Sequence, residues 1–332
     1  MDQGPDSSRG FAGAQGRGVG IVAVAAGLWG TDALFRRGLA LSAPAVSVVF
    51  WEHAVISVLL ATALWRRRGE LTRLGRTEWL QVVLIGGGSS VLATTLFTQA
   101  LSIGDPTPPL LLQKVQPLIA LGLAALLLGE RPSRRLALFA VPALVGAWLV
   151  SQPEPGAVDL DSATAAALAV GAAALWAMGT VLGRGLSAVV EPTTLTALRL
   201  TVGLPVAAVV LAVVGGPVLP AADQVPGLLG LSLVPGLLAL VLYYRGLRTA
   251  PASLATWAEL AFPLVAIVVN RIAFDATLTT TQWLGVVLLA ASVTGLSLVS
   301  RRRGPAAVGV RAQDLAPDSP SSAASPRALR GP

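Results

Sequence analysis

The chain has 332 residues, of which 54% are hydrophobic and only 12% are charged. Soluble domains carry about 25% charged residues, so this composition excludes an ordinary soluble protein and indicates a polytopic membrane protein. The formal net charge of +7 comes mostly from arginines beside apolar runs, a pattern that reports membrane orientation and not a nucleic-acid partner. No cysteine is present, which excludes disulfides, thiolate metal sites and cysteine nucleophiles.

Apolar runs of helical length follow one another along the chain. Residues 1–17 and 301–332 are polar or rich in Gly, Pro and Ser, and are predicted to be disordered cytoplasmic tails. Between them the apolar runs predict ten transmembrane helices, so the expected fold class is an all-α polytopic membrane protein. The predicted spans are 18–36, 44–65, 79–101, 106–128, 135–151, 162–183, 192–214, 226–248, 252–274 and 281–300.

Charges in the connecting loops predict the orientation. Arginines are concentrated at 66–76, 129–135 and 301–303, whereas the alternate loops carry acidic residues. The positive-inside rule then puts both termini in the cytoplasm and the 152–161 loop outside. Two features depart from this pattern, Arg36-Arg37 at the outer end of the first span and Arg271 at the outer end of the ninth. Asp275 lies four residues after Arg271, and a local ion pair accounts for that exception.

The fourth span is the least ordinary of the ten. Its first half contains Gln113, Lys114, Gln116 and Pro117, and Lys114 is the only lysine in the chain. A charge within the bilayer costs about 2.5–3.5 kcal/mol, so it is normally turned inward and paired. Two readings are open, a structural kink with one buried ion pair or a substrate-facing helix broken at Pro117.

The second half of the chain repeats the first. The matches at a separation of 147 are Trp29 with Trp176 and Arg37-Gly38-Leu39 with Arg184-Gly185-Leu186; those at 146 are Leu101 with Leu247, Pro117 with Pro263, and Gln113 opposite Glu259. The repeats cover 18–151 and 162–300, with five spans each. Because five is odd, the second copy must enter the membrane from the opposite side, which makes an inverted-topology repeat.

Three motifs carry a resemblance to a known family. They are Leu28-Trp29-Gly30, the run from Pro117 to Glu130, and a second copy from Leu175-Trp176 through Phe262-Pro263 to Gly295. They resemble the EamA domain of the drug/metabolite transporter superfamily. The resemblance implies two inverted five-helix repeats, a cavity lined by the first, third, fourth, sixth, eighth and ninth helices, and export or exchange of small metabolites. The second copy departs from the pattern, with Asp275-Ala276 in place of Gly129-Glu130.

Polar, charged and aromatic residues within the spans are the candidates for substrate binding or gating. His53 suits a hydrogen-bonded structural role better, although its ordinary pKa would allow proton coupling. Asp32 lies four residues before Arg36, so a local ion pair is an alternative for it. The candidates are Trp29, Asp32, Glu52, His53, Gln99, Gln113, Lys114, Gln116, Trp176, Arg199, Tyr243, Tyr244, Trp257 and Glu259, with Pro117 and Pro263 as helix breaks.

Four of these charged residues have no partner of opposite charge on their own helix: Glu52, Lys114, Arg199 and Glu259. Glu52 superposes on Arg199 in the repeat, and Gln113 on Glu259. The resulting hypothesis is two gates that are made and broken in turn, Glu52–Lys114 outside and Arg199–Glu259 inside. The glycine-rich run Gly86–Ser90 is expected to allow close helix packing rather than to bind phosphate.

Enzyme motifs are absent from the sequence: there is no GxSxG, no HExxH and no P-loop. We therefore expect no catalytic residue, metal or cofactor. The predicted function is a secondary transporter of the bacterial plasma membrane that exports amino-acid-like or drug-like solutes by alternating access. The rivals are a non-transporting membrane scaffold and an intramembrane enzyme.

Overall fold

The computed structural model of the chain describes residues 5–116, 118–119, 122–123, 134–152, 154, 159–186, 189–247, 258 and 261–301. Throughout these residues the regular structure is helical, with no strand. Helix α1 begins at Pro5, so much of the segment expected to be a disordered tail is helical. The predicted C-terminal tail lies outside the described residues after Arg301.

The helices of the first repeat agree with the predicted spans only in part, because the first span, predicted at 18–36, is helical from Pro5 to Ser42 with a break at Thr31. They are α1 (Pro5–Gly30), α2 (Asp32–Ser42), α3 (Ala45–Arg66), α4 (Arg68–Leu71), α5 (Arg76–Leu84), a π-helical segment (Ile85–Leu92), α6 (Ala93–Leu101), α7 (Thr107–Leu112), a 3₁₀ turn (Gln113–Val115) and α8 (Arg134–Ser151). At the join of α1 and α2 the hydroxyl of Thr31 donates to the carbonyl of Leu28 at 2.7 Å. Pro117 and the rest of the fourth span from 124 onward lie outside the described residues.

The described part of the second repeat has fewer separate elements, because α9 is continuous where the first repeat is divided at Thr31. They are α9 (Leu160–Leu186), α10 (Pro192–Val214), α11 (Val225–Leu231), a second π-helical segment (Ser232–Leu238), α12 (Ala239–Leu247), α13 (Ala261–Phe274) and α14 (Thr280–Arg301). Asp159 precedes α9 and accepts a hydrogen bond from the Ser162 N–H at 2.7 Å. Hydrogen bonds from the Ser162 hydroxyl and N–H hold the pKa of Asp159 below its ordinary value.

Six helices of the described chain are long and apolar enough to cross a membrane, and three shorter apolar helices accompany them. Large apolar side chains cover their outer surface; Val213 is 82% exposed and Ile272 80%. Such a surface suits hydrocarbon and not water. The prediction of ten crossings remains a prediction.

Loops gather at two ends of the bundle. At one end, which we call the arginine-rich end after residues 66–76, Arg67 forms ion pairs with Glu70 and Glu191. At the opposite end Gln224 donates to the Ser42 hydroxyl at 3.0 Å, and Asn270 donates to Thr107 at 3.2 Å. Arg271 pairs there with Asp275, which confirms the predicted local ion pair.

Helix packing is reciprocal between the two repeats. Helix α1 packs on α12 and α13, while its counterpart α9 packs on α6 and α7. The remaining counterparts pack on each other, α3 on α10 and α8 on α14. At the level of the predicted spans the same pairs are therefore in contact in both halves, although α7 and α13 are not equivalent segments of the repeat.

The two π-helical segments also correspond, since Ile85 and Ser232 begin them 147 positions apart. The first contains the glycine-rich run, and a Cβ on Gly86 would lie 3.0 Å from the backbone of α10 at Arg199 and Gly203. This contact confirms the predicted close packing. The second contains Pro235, whose missing N–H disfavours a regular α-helix.

Candidate functional site

A cavity of about 690 Å³ lies between the two repeats. This is the size range of small-molecule sites, about 300–1,000 Å³. Each repeat contributes to its lining, and so do both π-helical segments, through Ile85 and Ser89 in the first and Pro235 in the second. Nine residues predicted from the sequence line the cavity: Trp29, Asp32, Glu52, Gln113, Lys114, Gln116, Trp176, Arg199 and Tyr243.

An ionic cluster centred on Arg36 forms part of the cavity wall. Its guanidinium uses all five N–H groups: two hydrogen bonds to Asp32 (2.7 and 3.0 Å), two to Glu52 (2.9 and 3.2 Å) and one to the Thr98 hydroxyl (3.1 Å). Arg36 is 3% exposed and Glu52 8%. A buried charge is stable only when its hydrogen-bonding capacity is filled in this way. The cluster thereby joins α2, α3 and α6.

The sequence left two readings of Asp32 open, a substrate-facing carboxylate or a local ion pair with Arg36, and the structure shows the ion pair. The sequence also placed Arg36 at the end of a span, with no role in the site. Helix α2 continues to Ser42, so Arg36 lies well inside the bundle. An acid and a base four residues apart within an apolar segment were the signal that pointed to a buried cluster.

Glu52 is therefore bound by Arg36 in this structure, with both carboxylate oxygens engaged. The Glu52–Lys114 gate inferred from the sequence stays a proposal that needs a different conformer. The ammonium of Lys114 lies 4.4 Å from the centre of the Phe262 ring, in cation–π geometry. Glu259, the expected partner of Arg199, lies outside the described residues.

The second repeat has glycines where the first has the ionic cluster. Gly179 corresponds to Asp32 and Gly183 to Arg36, each 147 positions further on, and both glycines line the cavity. Arg199, at the position equivalent to Glu52, donates to the Ser90 hydroxyl at 3.1 Å and the Ser89 carbonyl at 3.4 Å. The two ends of the cavity are therefore chemically different.

Apolar packing completes the wall on the Arg36 side. Leu39, Val48, Trp51, Leu228 and Leu231 form a buried cluster there, and the Trp51 indole donates to the Val218 carbonyl at 2.8 Å. None of these residues lines the cavity. Toward the arginine-rich end, by contrast, the cavity extends to Gly183 and Leu195. Leu195 is the repeat equivalent of Val48, which is fully buried.

Two aromatic pairs related by the repeat border the cavity. Trp29 packs on Tyr243 with ring centres 4.9 Å apart, and Trp176 packs on Phe97 at 5.5 Å. Each pair joins a tryptophan of one repeat to an aromatic residue of the other. The cavity thus has flat apolar surfaces between charged groups.

Local helix geometry brings Lys114 to the cavity together with its neighbours. A regular α-helix places Gln113 and Gln116 on one stripe with Pro109 and turns Lys114 away from it. Residues 113–115 instead form a 3₁₀ turn, which changes the angular spacing. Gln113, Lys114 and Gln116 consequently all line the cavity, while Pro109 is buried elsewhere.

The other predicted residues do not line the described part of the cavity. His53 is 2% exposed, and its Nδ1 lies 2.8 Å from the Val49 carbonyl, as a structural histidine would be. Gln99 is exposed and donates to Ser102. Pro263 lies in the first turn of α13. Pro117, Trp257, Glu259 and the side chain of Tyr244 are outside the described residues.

Within the described ranges no three His, Cys, Asp or Glu side chains come together as a metal site would need. The site thus consists of charged, amide and aromatic side chains around a cavity between membrane-type helices. This arrangement is the one expected of a membrane protein of the transporter class.

Comparison with known proteins gives the family. Residues 16–152 and 163–298 each match the EamA-like transporter family, so the chain belongs to that family and the predicted resemblance is confirmed. It is 27% identical over 297 residues to the riboflavin transporter ImpX of Fusobacterium nucleatum subsp. nucleatum (strain ATCC 23726 / VPI 4351), across 85% of this chain and 97% of that protein. A solved crystal structure superposes with a TM-score of 0.58 at 18% identity, over 87% of this chain and 99% of the other, which shows a shared fold alone.

Proposed function

We propose that the protein is a secondary transporter that moves a small metabolite across the bacterial plasma membrane by alternating access. The observation that carries this proposal is a metabolite-sized cavity between two reciprocally packed repeats, blocked on one side by a buried ionic cluster. A non-transporting scaffold has no need for charged groups around such a cavity, because each charge is costly in a membrane.

The Asp32–Arg36–Glu52 cluster is the closed gate of this conformer. It lies with the Leu39–Trp51 apolar cluster on one side of the cavity, and glycines take its place on the other. Exchange of the two repeat conformations would open the cluster side and close the glycine side. In this scheme the Glu52–Lys114 and Arg199–Glu259 pairs belong to the opening and closing steps.

Loop charges support the direction. By the positive-inside rule the arginine-rich end faces the cytoplasm, together with both termini, and the two repeats have inverted topology across ten spans. The conformer described here would then load cargo from the cytoplasm. Export is the direction that this arrangement favours, and proton coupling is one arm of the flux experiment.

Cargo with an aromatic ring system fits the cavity best. Trp29, Phe97, Trp176, Tyr243 and Phe262 all contribute to the lining, and stacked aromatic pairs add about 0.5–1.5 kcal/mol beyond the area that they bury. The name of the relative makes riboflavin the first compound to test. An amino acid is the matched alternative, because charges of both signs line the same cavity.

The experiment is counterflow in proteoliposomes of the full-length protein, preloaded with unlabelled riboflavin or with an amino-acid mixture. We expect labelled riboflavin to accumulate transiently only in preloaded vesicles. Trp29→Leu and Trp176→Leu should each reduce this accumulation, whereas Trp65→Leu, at a 68% exposed position on α3, should not. The runs are repeated with and without a pH gradient, and a gradient effect identifies proton coupling.

Each outcome assigns the function or rejects it. Counterflow of the amino acids alone would reject an aromatic cargo but still support the assignment as a transporter. Accumulation no greater than in protein-free vesicles for every compound, with the protein shown to be folded, would contradict transport and favour the scaffold.

A further inference from the structure

A second cavity of about 120 Å³ lies near the arginine-rich end, where α3, α10 and the second π-helical segment with α12 meet. Its walls are mainly apolar and include Leu60 and Leu64 from α3 with Leu237 and Leu240 opposite. Ala63 and Val241 line it and are themselves exposed, so the crevice opens on the outer surface of the bundle. It is far smaller than a site for a drug-sized solute.

One wall of this crevice contains an unsatisfied polar group. Thr194 is 1% exposed, and within the described chain its hydroxyl has no hydrogen-bond partner. Buried hydroxyls are normally bonded, so a ligand with a polar group at this level would complete the site. Thr194 lies at the start of α10, near Arg67, which also lines the crevice.

Residues beside the crevice have the composition of a membrane–water interface. Trp65 is 68% exposed, and the Arg68 guanidinium lies 4.7 Å from the centre of its ring. Exposed Trp and Arg residues at a helix end mark the headgroup level of a bilayer. Leu60 and Leu64 extend from this level toward the hydrocarbon.

The net charge at this level is positive. Residues 66–76 contain five arginines and the acid Glu70, and Glu191 joins Glu70 in pairing with Arg67, which leaves the other four arginines in excess. Basic residues next to a membrane surface attract anionic headgroups. The leucine-lined interior, the Thr194 hydroxyl and the arginines at the mouth are therefore complementary to an apolar chain, a polar group and an anionic group within one molecule.

We propose that the crevice binds one acyl chain of an anionic phospholipid, with its glycerol ester near Thr194 and its phosphate among the arginines of the 66–76 segment. Thr196 lines both this crevice and the central cavity, so a bound lipid lies one side chain away from the proposed cargo path. The lipid would thereby stabilise the contact between α3 and α10, the helices that carry Glu52 and Arg199.

The test compares lipid retention by variants of the full-length protein, with phosphatidylglycerol and phosphatidylcholine of identical acyl chains as probes. Ala63→Phe fills the crevice from its exposed mouth, and Ala61→Phe makes the same change at an exposed position of α3 that does not line it. Native mass spectrometry counts the retained lipid. We expect roughly tenfold weaker retention of phosphatidylglycerol by Ala63→Phe than by Ala61→Phe, as removal of two or three buried methylenes would give.

The headgroup part of the proposal has its own readout. Arg66→Gln combined with Arg68→Gln should remove the preference for phosphatidylglycerol over phosphatidylcholine and leave the effect of Ala63→Phe in place. Equal retention by Ala63→Phe and Ala61→Phe would overturn the crevice as a lipid site. Equal retention of the two lipids by the unaltered protein would overturn the anionic preference. Neither result depends on transport activity.

Discussion

Arg36 and Gly183 occupy equivalent positions of the two repeats, 147 residues apart, and both line the central cavity. At one position a guanidinium makes five hydrogen bonds that join three helices; at the other there is no side chain. The two repeats are thus arranged alike, but the side chains that they contribute to the cavity wall differ. Because the contacts around Arg36 exist on one side only, the repeats favour different conformations even though their folds match.

Removing the charge of Arg36 should destabilise the protein. Arg36→Gln leaves Asp32 and Glu52 as buried carboxylates without their guanidinium, a change that costs about 3–5 kcal/mol. Thermal unfolding in nanodiscs measures the loss. Arg271→Gln removes an exposed ion pair with Asp275 and should change stability by less than about 1 kcal/mol.

Neutralising the whole cluster should separate stability from function. In the triple variant Arg36→Met, Asp32→Asn, Glu52→Gln no charge is left buried and unpaired, so most of the lost stability should return. Counterflow should stay impaired in it, because the switchable contacts are gone. Normal flux in the stable triple variant would show that the cluster is structural.

Bulk at Gly183 should obstruct the cavity without disturbing the fold. A Cβ there would lie 3.7 Å from Leu195, an ordinary contact, so Gly183→Ala should be stable. Gly183→Leu should reduce cargo binding, measured by equilibrium dialysis of riboflavin. Gly38→Leu is the control, since its Cβ meets nothing within 4 Å and lies outside the cavity. Equal binding by both leucine variants would contradict the position assigned to Gly183.

The α8–α14 contact should be the part of the fold least tolerant of added volume. A Cβ on Gly285 would lie 2.7 Å from the Gly146 carbonyl oxygen and 2.8 Å from Val150 N. Gly285→Ala should therefore cost about 1–3 kcal/mol. Gly20→Ala, at a helical position with open space, should be neutral or stabilising by up to about 1 kcal/mol. Unfolding temperatures that change equally in the two variants would contradict the packing of this helix pair.

Lys114 should not be replaceable by arginine. Its compact ammonium lies over the Phe262 ring, and a planar guanidinium there would need more space within the cavity wall. We expect Lys114→Arg to impair counterflow nearly as much as Lys114→Ala. Arg66→Lys, at an exposed position, should have no effect. Wild-type flux in Lys114→Arg at equal membrane abundance would return Lys114 to a purely structural role.

Much of the architecture could be predicted from the sequence, because apolar length, arginine distribution and repeat spacing are all local or periodic signals. The helix bounds of α3 and α10 agree closely with the predicted spans at 44–65 and 192–214. Nine cavity residues were also identified, since a polar side chain in a membrane helix must face protein or water.

Partner assignment could not be predicted in the same way. Glu52 lies sixteen residues from Arg36, and which base binds it depends on how α2 and α3 pack. Lys114 enters the cavity because of a 3₁₀ turn that a regular helical period does not contain. Thr98 and Phe97 were missed because threonine and phenylalanine are tolerated on any face of a membrane helix and do not stand out in the sequence.

Alternating access is tested most directly at Val48 and Leu195, equivalent positions of which the first is buried and the second lines the cavity. Each is replaced singly by cysteine in this cysteine-free chain, and labelling by a membrane-impermeant thiol reagent is measured from both sides in oriented vesicles. With Arg36 intact, Leu195→Cys should react from the arginine-rich side while Val48→Cys stays protected from the other. Adding Arg36→Gln should speed the reaction at Val48→Cys and slow it at Leu195→Cys. Rates that stay unchanged at both positions, or rise at both together, would contradict a gate at Arg36 and the alternation built on it.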